Sequence, residues 1–217
     1  MTAMWLSVAE LFYKKSANMK ETLFKLTYGL FVLSTRYGMK DNGCIINTVM
    51  QVTDTPLQIA VAVNKGNYTL EMIKESGEFN ISVLTEEAPF SVFQNFGFKS
   101  GRTEEKFDGF ADKERAANSI YYVTGCTNAY ISANVVNMID CGTHMMIIAE
   151  VVDAKTLSDK PSVTYDYYFK NIKPKPEAKK KGYVCKICGY VYEGEPLPED
   201  FICPWCKHPA SDFEPLQ

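Results

Sequence analysis

Residues 43–64 have the sequence GCIINTVMQVTDTPLQIAVAVN, two apolar runs on either side of a polar turn that contains a proline. Both runs are dense in β-branched residues, and their side chains alternate with a period near two, which is typical of β-strands. Similar runs occur elsewhere in the chain, at 28–35, 78–84, 129–139 and 144–154. Together these runs predict a domain built mainly from strands.

Helical patterns are few. One is YTLEMIKES at 68–76, after the polar turn NKGN, and another is APFSVFQNF at 88–96. Many strands without regular strand–helix alternation predict an antiparallel β-barrel. The sequence contains no GxGxxG motif, so a Rossmann site is not indicated. Residues 1–18 are weakly amphipathic, and we expect them to form a helix that packs on the barrel.

The 217-residue chain has the composition of a water-soluble protein, with 46% hydrophobic residues and a net charge of −3. It contains no apolar run near the roughly 18 residues that a membrane-spanning helix needs. We see no charged-then-apolar signal sequence, so we expect a reducing, cytoplasmic location. Neither a membrane nor a nucleic acid is expected as a partner.

A domain boundary is visible at residues 171–182, NIKPKPEAKKKG, where two prolines and five lysines occur. This composition is typical of a solvated linker, which could span roughly 40 Å when extended. It separates a domain of residues 1–170 from a short unit of residues 183–217. That unit has six acidic and two basic residues, a net charge of −4, which suits either docking on a basic patch or simple solubility.

Four of the seven cysteines form two CxxC pairs in this unit, with fourteen residues between the pairs: Cys185, Cys188, Cys203 and Cys206. Two such turns, or knuckles, can close one tetrahedral tetrathiolate site, and a unit of about 35 residues seldom folds without such a cross-link. Disulfides are less favoured because no secretion signal is seen. Zinc and iron both accept four thiolates, so the spacing leaves the metal open. His208 is interpreted as a solvated loop residue, because the thiolates complete the shell.

The residues around the cysteines narrow the choice of metal. Gly189 lets the first knuckle turn without steric cost, and Pro204 lies in the second. Six aromatic side chains are expected to pack around the metal and exclude water: Tyr183, Tyr190, Tyr192, Phe201, Trp205 and Phe213. The run YVCKICGYVYEG...FICPWC...DFEP resembles rubredoxin, in the shortened form found at the C-terminus of rubrerythrin-like proteins. The resemblance implies one iron that cycles between the ferric and ferrous states. Its segment between the pairs is shorter than in longer rubredoxins, but no ligand is missing.

Polar residues within the predicted barrel are candidate ligand contacts. Asn47, Thr48 and Gln51 interrupt an apolar strand and could meet the polar edge or ribityl chain of a flavin, or could form cross-strand hydrogen bonds. Lys65 and Thr69 lie at the start of a predicted helix, together with Asn67. Free N–H groups at a helix N-terminus beside a lysine suit a phosphate, although simple N-capping would also explain these residues.

The runs YGLFVLST, NGCIINTVMQVTDTPLQIAVAVNKGNYTLEMIKESGEFNISVL, FGFKSGRTEEKF and CGTHMMIIAEVVDA resemble the flavin reductase-like, FMN-binding split-barrel family. The resemblance covers about residues 20–170 and implies a mainly β, Greek-key-like split barrel with a few helices. It also implies a homodimer with FMN near the subunit interface and hydride from NADH or NADPH. By position, the residues implied to bind the cofactor are Asn47, Thr48, Gln51, Lys65, Asn67, Tyr68, Thr69, Ser100, Gly101 and Arg102.

His144 matches the histidine of the family's Gly-Asp-His segment, near where the nicotinamide approaches, and is the candidate catalytic residue. Thr143 stands where many members have aspartate, so an acidic partner for His144 is missing. The three remaining cysteines are interpreted as packing residues: Cys44, Cys126 and Cys141.

Flavin and iron together explain the fusion, because a hydride carries two electrons whereas one tetrathiolate iron accepts one. The whole arrangement resembles the high-molecular-weight rubredoxins of anaerobes. That family implies electron transfer from NAD(P)H through FMN and iron to a partner such as a flavodiiron oxygen or nitric oxide reductase. Two alternatives remain open. The barrel could release free reduced flavin, or the metal could be zinc in a binding protein.

Overall fold

The computed structural model describes residues 19, 22–23, 25–174 and 182–216. The predicted helix at 1–18 and residues 175–181 of the predicted linker lie outside the described residues. None of the helices in the described part is long and apolar enough to cross a membrane.

Most strands of the barrel domain belong to one antiparallel sheet. The strands are β1 (Phe31–Tyr37), β2 (Lys40–Ile46), β3 (Val49–Thr53), β4 (Gln58–Asn64), β5 (Glu78–Leu84), β6 (Lys113–Arg115), β7 (Tyr121–Val123), β8 (Thr127–Asp140) and β9 (His144–Thr156). Seven of them form the sheet, in the order β2-β1-β5-β8-β9-β4-β3, and every neighbouring pair is antiparallel. β6 and β7 form a separate hairpin. The predicted mainly β, antiparallel class is confirmed.

The order of the strands requires the sheet to close. β2 and β3 lie at opposite edges, yet only Asn47 and Thr48 separate them in the chain. Six strand spacings of about 4.8 Å would hold the edges of a flat sheet about 29 Å apart. Three Cα–Cα steps, from Ile46 to Val49, reach at most about 11 Å. The sheet therefore curls until the end of β2 and the start of β3 lie within about 11 Å of each other, and the apolar run predicted as one strand at 43–52 is two strands. We call the link Asn47–Thr48 the seam.

The inner face of the sheet forms the larger core. Leu33, Val61, Ile81 and Ile147 are 0% exposed and come from four different strands. Phe79 is also 0% exposed, and truncating a buried phenylalanine to alanine costs about 3–5 kcal/mol. The alternation seen in the sequence thus marks the side chains that hold the barrel together.

Helix α1 (Tyr68–Ser76) lies where the sequence predicts it. The side-chain oxygen of Asn67 accepts a hydrogen bond from the Thr69 N–H at 3.1 Å. At the other end Gly77 has a φ of 72°, and its N–H donates to the Ile73 carbonyl at 2.8 Å. Both ends are thus capped by the residue types that favour them, and Ile73 packs into the barrel core.

Two further helices pack together beside the barrel. Helix α2 (Phe90–Phe93) continues as a π-helical segment (Gln94–Phe98), and α3 (Tyr165–Tyr167) continues as another (Tyr168–Ile172). They meet through Phe93 and Tyr168, whose ring centroids are 4.6 Å apart. This second, aromatic core confirms the predicted helix at 88–96 and fixes the position of its end.

The C-terminal unit has a small sheet of its own. Its strands are β10 (Tyr183–Cys185), β11 (Val191–Tyr192) and β12 (Phe213–Pro215), in the order β11-β10-β12. A 3-10 turn (Ala210–Asp212) precedes β12. Three of its four cysteines are buried together with Phe213, so the predicted metal site takes the place of an ordinary apolar core.

Candidate functional site

The two CxxC pairs form matching turns. In the first, the Gly189 N–H donates to the Cys185 carbonyl at 2.8 Å, and in the second the Lys207 N–H donates to the Cys203 carbonyl at 2.9 Å. Gly189 and Lys207 have left-handed backbone, with φ of 80° and 62°. Glycine adopts this conformation without strain, as predicted for Gly189, whereas the second knuckle uses a lysine there.

The four cysteine Sγ atoms all lie within 4.8 Å of one another. Cys185 and Cys206 are 3.5 Å apart, as are Cys188 and Cys203. A tetrahedral metal with bonds of about 2.3 Å needs sulfurs about 3.8 Å apart, whereas a disulfide would need about 2.05 Å. Hydrogen bonds from the Cys188 and Cys206 thiols lower the pKa of Cys185, and the same contacts raise the pKa of Cys188 and Cys206. The cluster fits the predicted tetrathiolate site.

Aromatic side chains surround this cluster as predicted. Five of the six pack directly against it: Tyr183, Tyr190, Tyr192, Phe201 and Phe213. The sixth, Trp205, meets Tyr190 edge-on at 5.2 Å but keeps 40% of its surface exposed. The Trp205 side chain thus presents an apolar face on the outside of the second knuckle.

The seam lines a cavity of about 330 Å³. The Thr48 hydroxyl donates to the Asn47 side-chain oxygen at 3.1 Å, and both side chains are half-buried. An amide and a hydroxyl at the wall of a partly apolar cavity suit an uncharged polar ligand such as a flavin ring edge. The structure thus places two predicted flavin contacts at the point where the barrel closes.

Lys65 and His144 lie at the same end of the sheet, where β4 and β9 pair. The Lys65 N–H donates to the Thr143 carbonyl at 3.0 Å. The Lys65 ammonium bonds both carboxylate oxygens of Asp140 at 2.6 Å, and this lowers the pKa of Asp140. Sequence reasoning missed Asp140, although its position at the end of a strand, four residues before His144, was an available signal.

His144 is half-buried, and its Nδ1 lies 2.9 Å from the Thr143 hydroxyl. Burial lowers the pKa of His144, and the charge of His208 lowers it further, so the imidazole is neutral at pH 7. Thr143 thus makes the contact that the missing aspartate would otherwise make.

The start of α1 gathers several predicted residues. Thr69 is fully buried, and its hydroxyl accepts a hydrogen bond from the Asn42 amide at 3.1 Å. The Tyr68 ring lies between two cations, with the Lys40 ammonium 5.3 Å and the Arg102 guanidinium 5.1 Å from its centre. The cap described above also lies here, so the N-capping alternative is realised. Each of the two cations has a carboxylate partner, Glu105 for Lys40 and Glu71 for Arg102.

The segment Ser100–Gly101–Arg102 packs against this helix start. Arg102 forms an ion pair with Glu71 of α1, and the Ser100 hydroxyl accepts from the Arg102 N–H at 3.3 Å. Gly101 is buried, and an added Cβ would lie 2.3 Å from the Asn42 side-chain oxygen, so glycine is required there. We call Asn67, Tyr68, Thr69 and residues 100–102 the helix-start cluster.

Gln51 lies apart from these residues. It is exposed in the middle of the edge strand β3, about 13 Å along the chain from Asn47, and its amide donates to the Thr53 carbonyl at 3.5 Å. A buried lysine within FGFKSGRTEEKF was also missed. Lys106 is 4% exposed, donates to the Gly43 carbonyl at 2.8 Å, and has its pKa lowered by burial.

Two sequence predictions outside the cofactor residues need correction. Cys44 and Cys126 are buried packing residues as predicted, but Cys141 is exposed, because the chain turns there between β8 and β9. His208 is half-buried rather than solvated, and it lines the seam cavity. The reason is that the C-terminal unit packs against the barrel domain.

The seam cavity is shared by the two parts of the chain. Besides Asn47 and Thr48, its wall consists of Leu23, Tyr28 and Tyr165 from the barrel domain and Ile187, His208 and Asp212 from the C-terminal unit. Ile187 lies between the two cysteines of the first knuckle. The four-cysteine site and the candidate flavin contacts therefore adjoin one cavity.

This arrangement of barrel and cysteine site defines the class of protein. The chain belongs to the flavin reductase like domain family, whose model matches residues 23–174. The model of the rubrerythrin, rubredoxin-like domain matches residues 183–214. The chain is thus an oxidoreductase in which a flavin reductase-like domain is fused to a rubredoxin-like domain.

Some relatives match both domains of this chain, and others match only the flavin reductase-like domain. The high molecular weight rubredoxin of Moorella thermoacetica is 36% identical, over 90% of this chain and 99% of that protein. The ferric-chelate reductase (NAD(P)H) of Archaeoglobus fulgidus is 40% identical, over 68% of this chain and 88% of that protein. The structure of the NADH:FAD oxidoreductase of Streptomyces globisporus has a TM-score of 0.61 at 16% identity, covering 76% of this chain and 93% of that one, and shows the same fold.

Proposed function

We propose that this chain is an electron-transfer protein that accepts hydride from NADH or NADPH on FMN bound at the seam. Electrons then pass singly to one iron held by the four cysteines, and from there to a partner such as a flavodiiron oxygen or nitric oxide reductase. One observation carries the proposal. Asn47 and Thr48 line the same cavity as Ile187 of the first knuckle. When bound, FMN supplies the chemistry that takes up two electrons as hydride and releases them one at a time.

The cysteine cluster fits iron. Its sulfur spacing suits a tetrahedral ion, and the aromatic residues packed on it keep water away. Cys185, Cys188, Cys203 and Cys206 would hold one iron, which would supply one-electron chemistry at this site, so an external acceptor would be needed to take each electron onward. The match to the rubredoxin-like domain supports iron over zinc.

The barrel domain offers two cations to a flavin phosphate, but neither of them is unpaired. Lys65 and Arg102 are already in ion pairs, with Asp140 and Glu71. Exposed pairs of this kind contribute little to stability, because water screens the two charges, so a phosphate can take over either cation. The positive end of the dipole of α1, a helix of nine residues, lies at the same place. We therefore place the phosphate at the helix-start cluster, with Lys65 beside it.

His144 is proposed to face the nicotinamide. Its imidazole is neutral, so it offers a hydrogen bond rather than a charge to an incoming ring. The contact with Thr143 fixes the ring orientation. We also propose a homodimer, as the family resemblance implies, and a partner with a basic surface that complements the acidic rubredoxin-like domain. We also propose a reducing cytoplasmic location, where the cysteines outside the metal site stay as thiols.

Anaerobic mixing with NADH or NADPH tests the proposal. The flavin absorbance should decrease first and the red ferric absorbance second. Cutting the chain between residues 175 and 181 should make the second step slower and dependent on protein concentration, because the linker supplies an effective concentration in the mM range. Hydride transfer should be unchanged. If the iron stays ferric without an added reductase, the proposed electron relay is contradicted. Loss of the flavin on gel filtration would indicate a reductase of free flavin. A colourless protein that contains zinc would indicate a binding protein.

A further inference from the structure

The rubredoxin-like domain meets the barrel domain through an aromatic pair. The rings of Trp205 and Phe98 are stacked, with centroids 4.9 Å apart and planes 14° from parallel. Trp205 lies between the two cysteines of the second knuckle, and Phe98 packs against the cysteine cluster. The contact therefore joins the barrel directly to the backbone that holds two of the metal ligands.

Each ring of this pair is held by its own domain. Phe98 ends the π-helical segment of α2 and meets Phe90 edge-on at 5.8 Å. Trp205 is held by the knuckle turn and by Tyr190. Since neither ring depends on the other for its position, the pair can separate and re-form as two preformed surfaces.

A second contact involves the first knuckle. A Cβ on Gly189 would lie 2.7 Å from the Cε atom of Lys173, so the lysine stem lies directly on the turn after Cys188. The Lys173 ammonium lies 4.4 Å from the centre of the Phe169 ring in α3. Both knuckles are thus contacted by the preceding part of the chain, one by Phe98 of the barrel domain and the other by Lys173 at the start of the predicted linker.

We propose that this surface is a docking contact that positions the iron for electron transfer from the barrel, with Phe98 and Trp205 as its positioning residues. The inference rests on the proposed function. Electron transfer slows steeply with distance, so a linker alone would leave most orientations of the domain unproductive. Large aromatic residues at the centre of a contact commonly dominate its stability. The stack therefore selects the orientation in which the first knuckle faces the seam cavity.

Two substitutions test the contact in the full-length protein loaded with flavin and iron. In anaerobic mixing with NADH, Phe98→Ala and Trp205→Ala should each slow reduction of the iron about tenfold or more. The rate of flavin reduction and the iron content should be unchanged, and dithionite should still reduce all of the iron. Trp205→Phe, which keeps a ring, should restore most of the rate. Matched controls are Ile202→Ala, an exposed apolar residue of the same domain, and Met39→Ala on the barrel.

A second measurement does not depend on activity. Small-angle X-ray scattering should show a larger maximum dimension for Phe98→Ala and Trp205→Ala than for the unaltered protein and the controls. The docking contact is wrong if these two variants keep both the iron-reduction rate and the dimension of the unaltered protein. If the unaltered protein never reduces its iron from NADH or NADPH, the proposed relay fails, and the scattering result alone then decides whether the contact exists.

Discussion

Replacing Gly101 with alanine should destabilise the barrel domain and weaken cofactor binding together. The added Cβ would lie 2.3 Å from the Asn42 side-chain oxygen and 2.4 Å from its nitrogen. Asn42 is 1% exposed, so it cannot turn into solvent. The alanine must therefore push Asn42 away from the Thr69 hydroxyl, 3.1 Å from its amide nitrogen, or push the segment 100–102 away from α1.

The magnitude follows from these contacts. Overpacking a filled site costs about 1–3 kcal/mol, and losing one buried hydrogen bond adds about 1 kcal/mol. The free energy of unfolding should thus decrease by about 2–4 kcal/mol. In a chain of this size about 1 kcal/mol corresponds to about 2–4 °C, so the melting temperature should decrease by about 4–16 °C.

Thermal unfolding and flavin retention after dialysis check this prediction. Gly97→Ala is the matched control, because its Cβ would lie at an ordinary 3.4 Å from Ile45. Adding Asn42→Ala to Gly101→Ala removes the atoms that clash, so the double variant should be more stable than the sum of the single effects by about 1–2 kcal/mol. Strict additivity, or an unchanged melting temperature in Gly101→Ala, would refute the steric reasoning.

Three further predictions concern the metal, the phosphate and pH. Cys188→Ser should abolish the red absorbance and unfold the rubredoxin-like domain, because metal binding and folding are coupled. The barrel domain should keep its flavin. A variant with a full, native-like iron content would contradict the four-cysteine site. Lys65→Glu should weaken FMN binding about five- to hundredfold, measured by flavin fluorescence after dialysis. The exposed control Lys155→Glu should retain FMN. If the two variants retain FMN equally, Lys65 is not part of the site. Because the pKa of His144 lies below its usual 6.5 in the folded chain, protonation favours unfolding, and stability decreases as the pH falls from about 6.5 towards the folded value. His144→Gln should flatten the melting temperature against pH between about pH 7 and pH 5, and an unchanged slope would show that other groups cause it.

The features that could be predicted from the sequence are local ones. The CxxC pairs bring their ligands together within single turns, so spacing alone indicates the tetrathiolate. The strands were visible because apolar residues alternate within each of them, and α1 because its cap and its C-terminal glycine are adjacent to it. The break at Asn47 and Thr48 was missed, since β2 and β3 form one continuous apolar run. The strands β6 and β7 and helix α3 were also missed, because elements of three residues are too short to show a period.

Contacts between distant segments could not be predicted in this way. Lys65 pairs with Asp140, 75 residues away, and Arg102 with Glu71, 31 residues away. The sequence places Lys65 beside the helix start, and only the family resemblance places Arg102 there. Neither shows the ion pairs that the fold makes. The stack of Phe98 on Trp205 depends on how two separately folded domains meet, and no periodicity in either domain carries that information.

The seam has a consequence for the lifetime of the protein in a cell. Asn47 and Thr48 join the two edges of the barrel, so a ligand held there binds the closed sheet and not the opened one. At a hundred times its dissociation constant, such a ligand adds about 2.7 kcal/mol to the free energy of unfolding. If that ligand is the proposed flavin, chains made when flavin is scarce should therefore unfold more often and be degraded sooner. The abundance of the protein would then follow the supply of its cofactor, without any regulation of its synthesis.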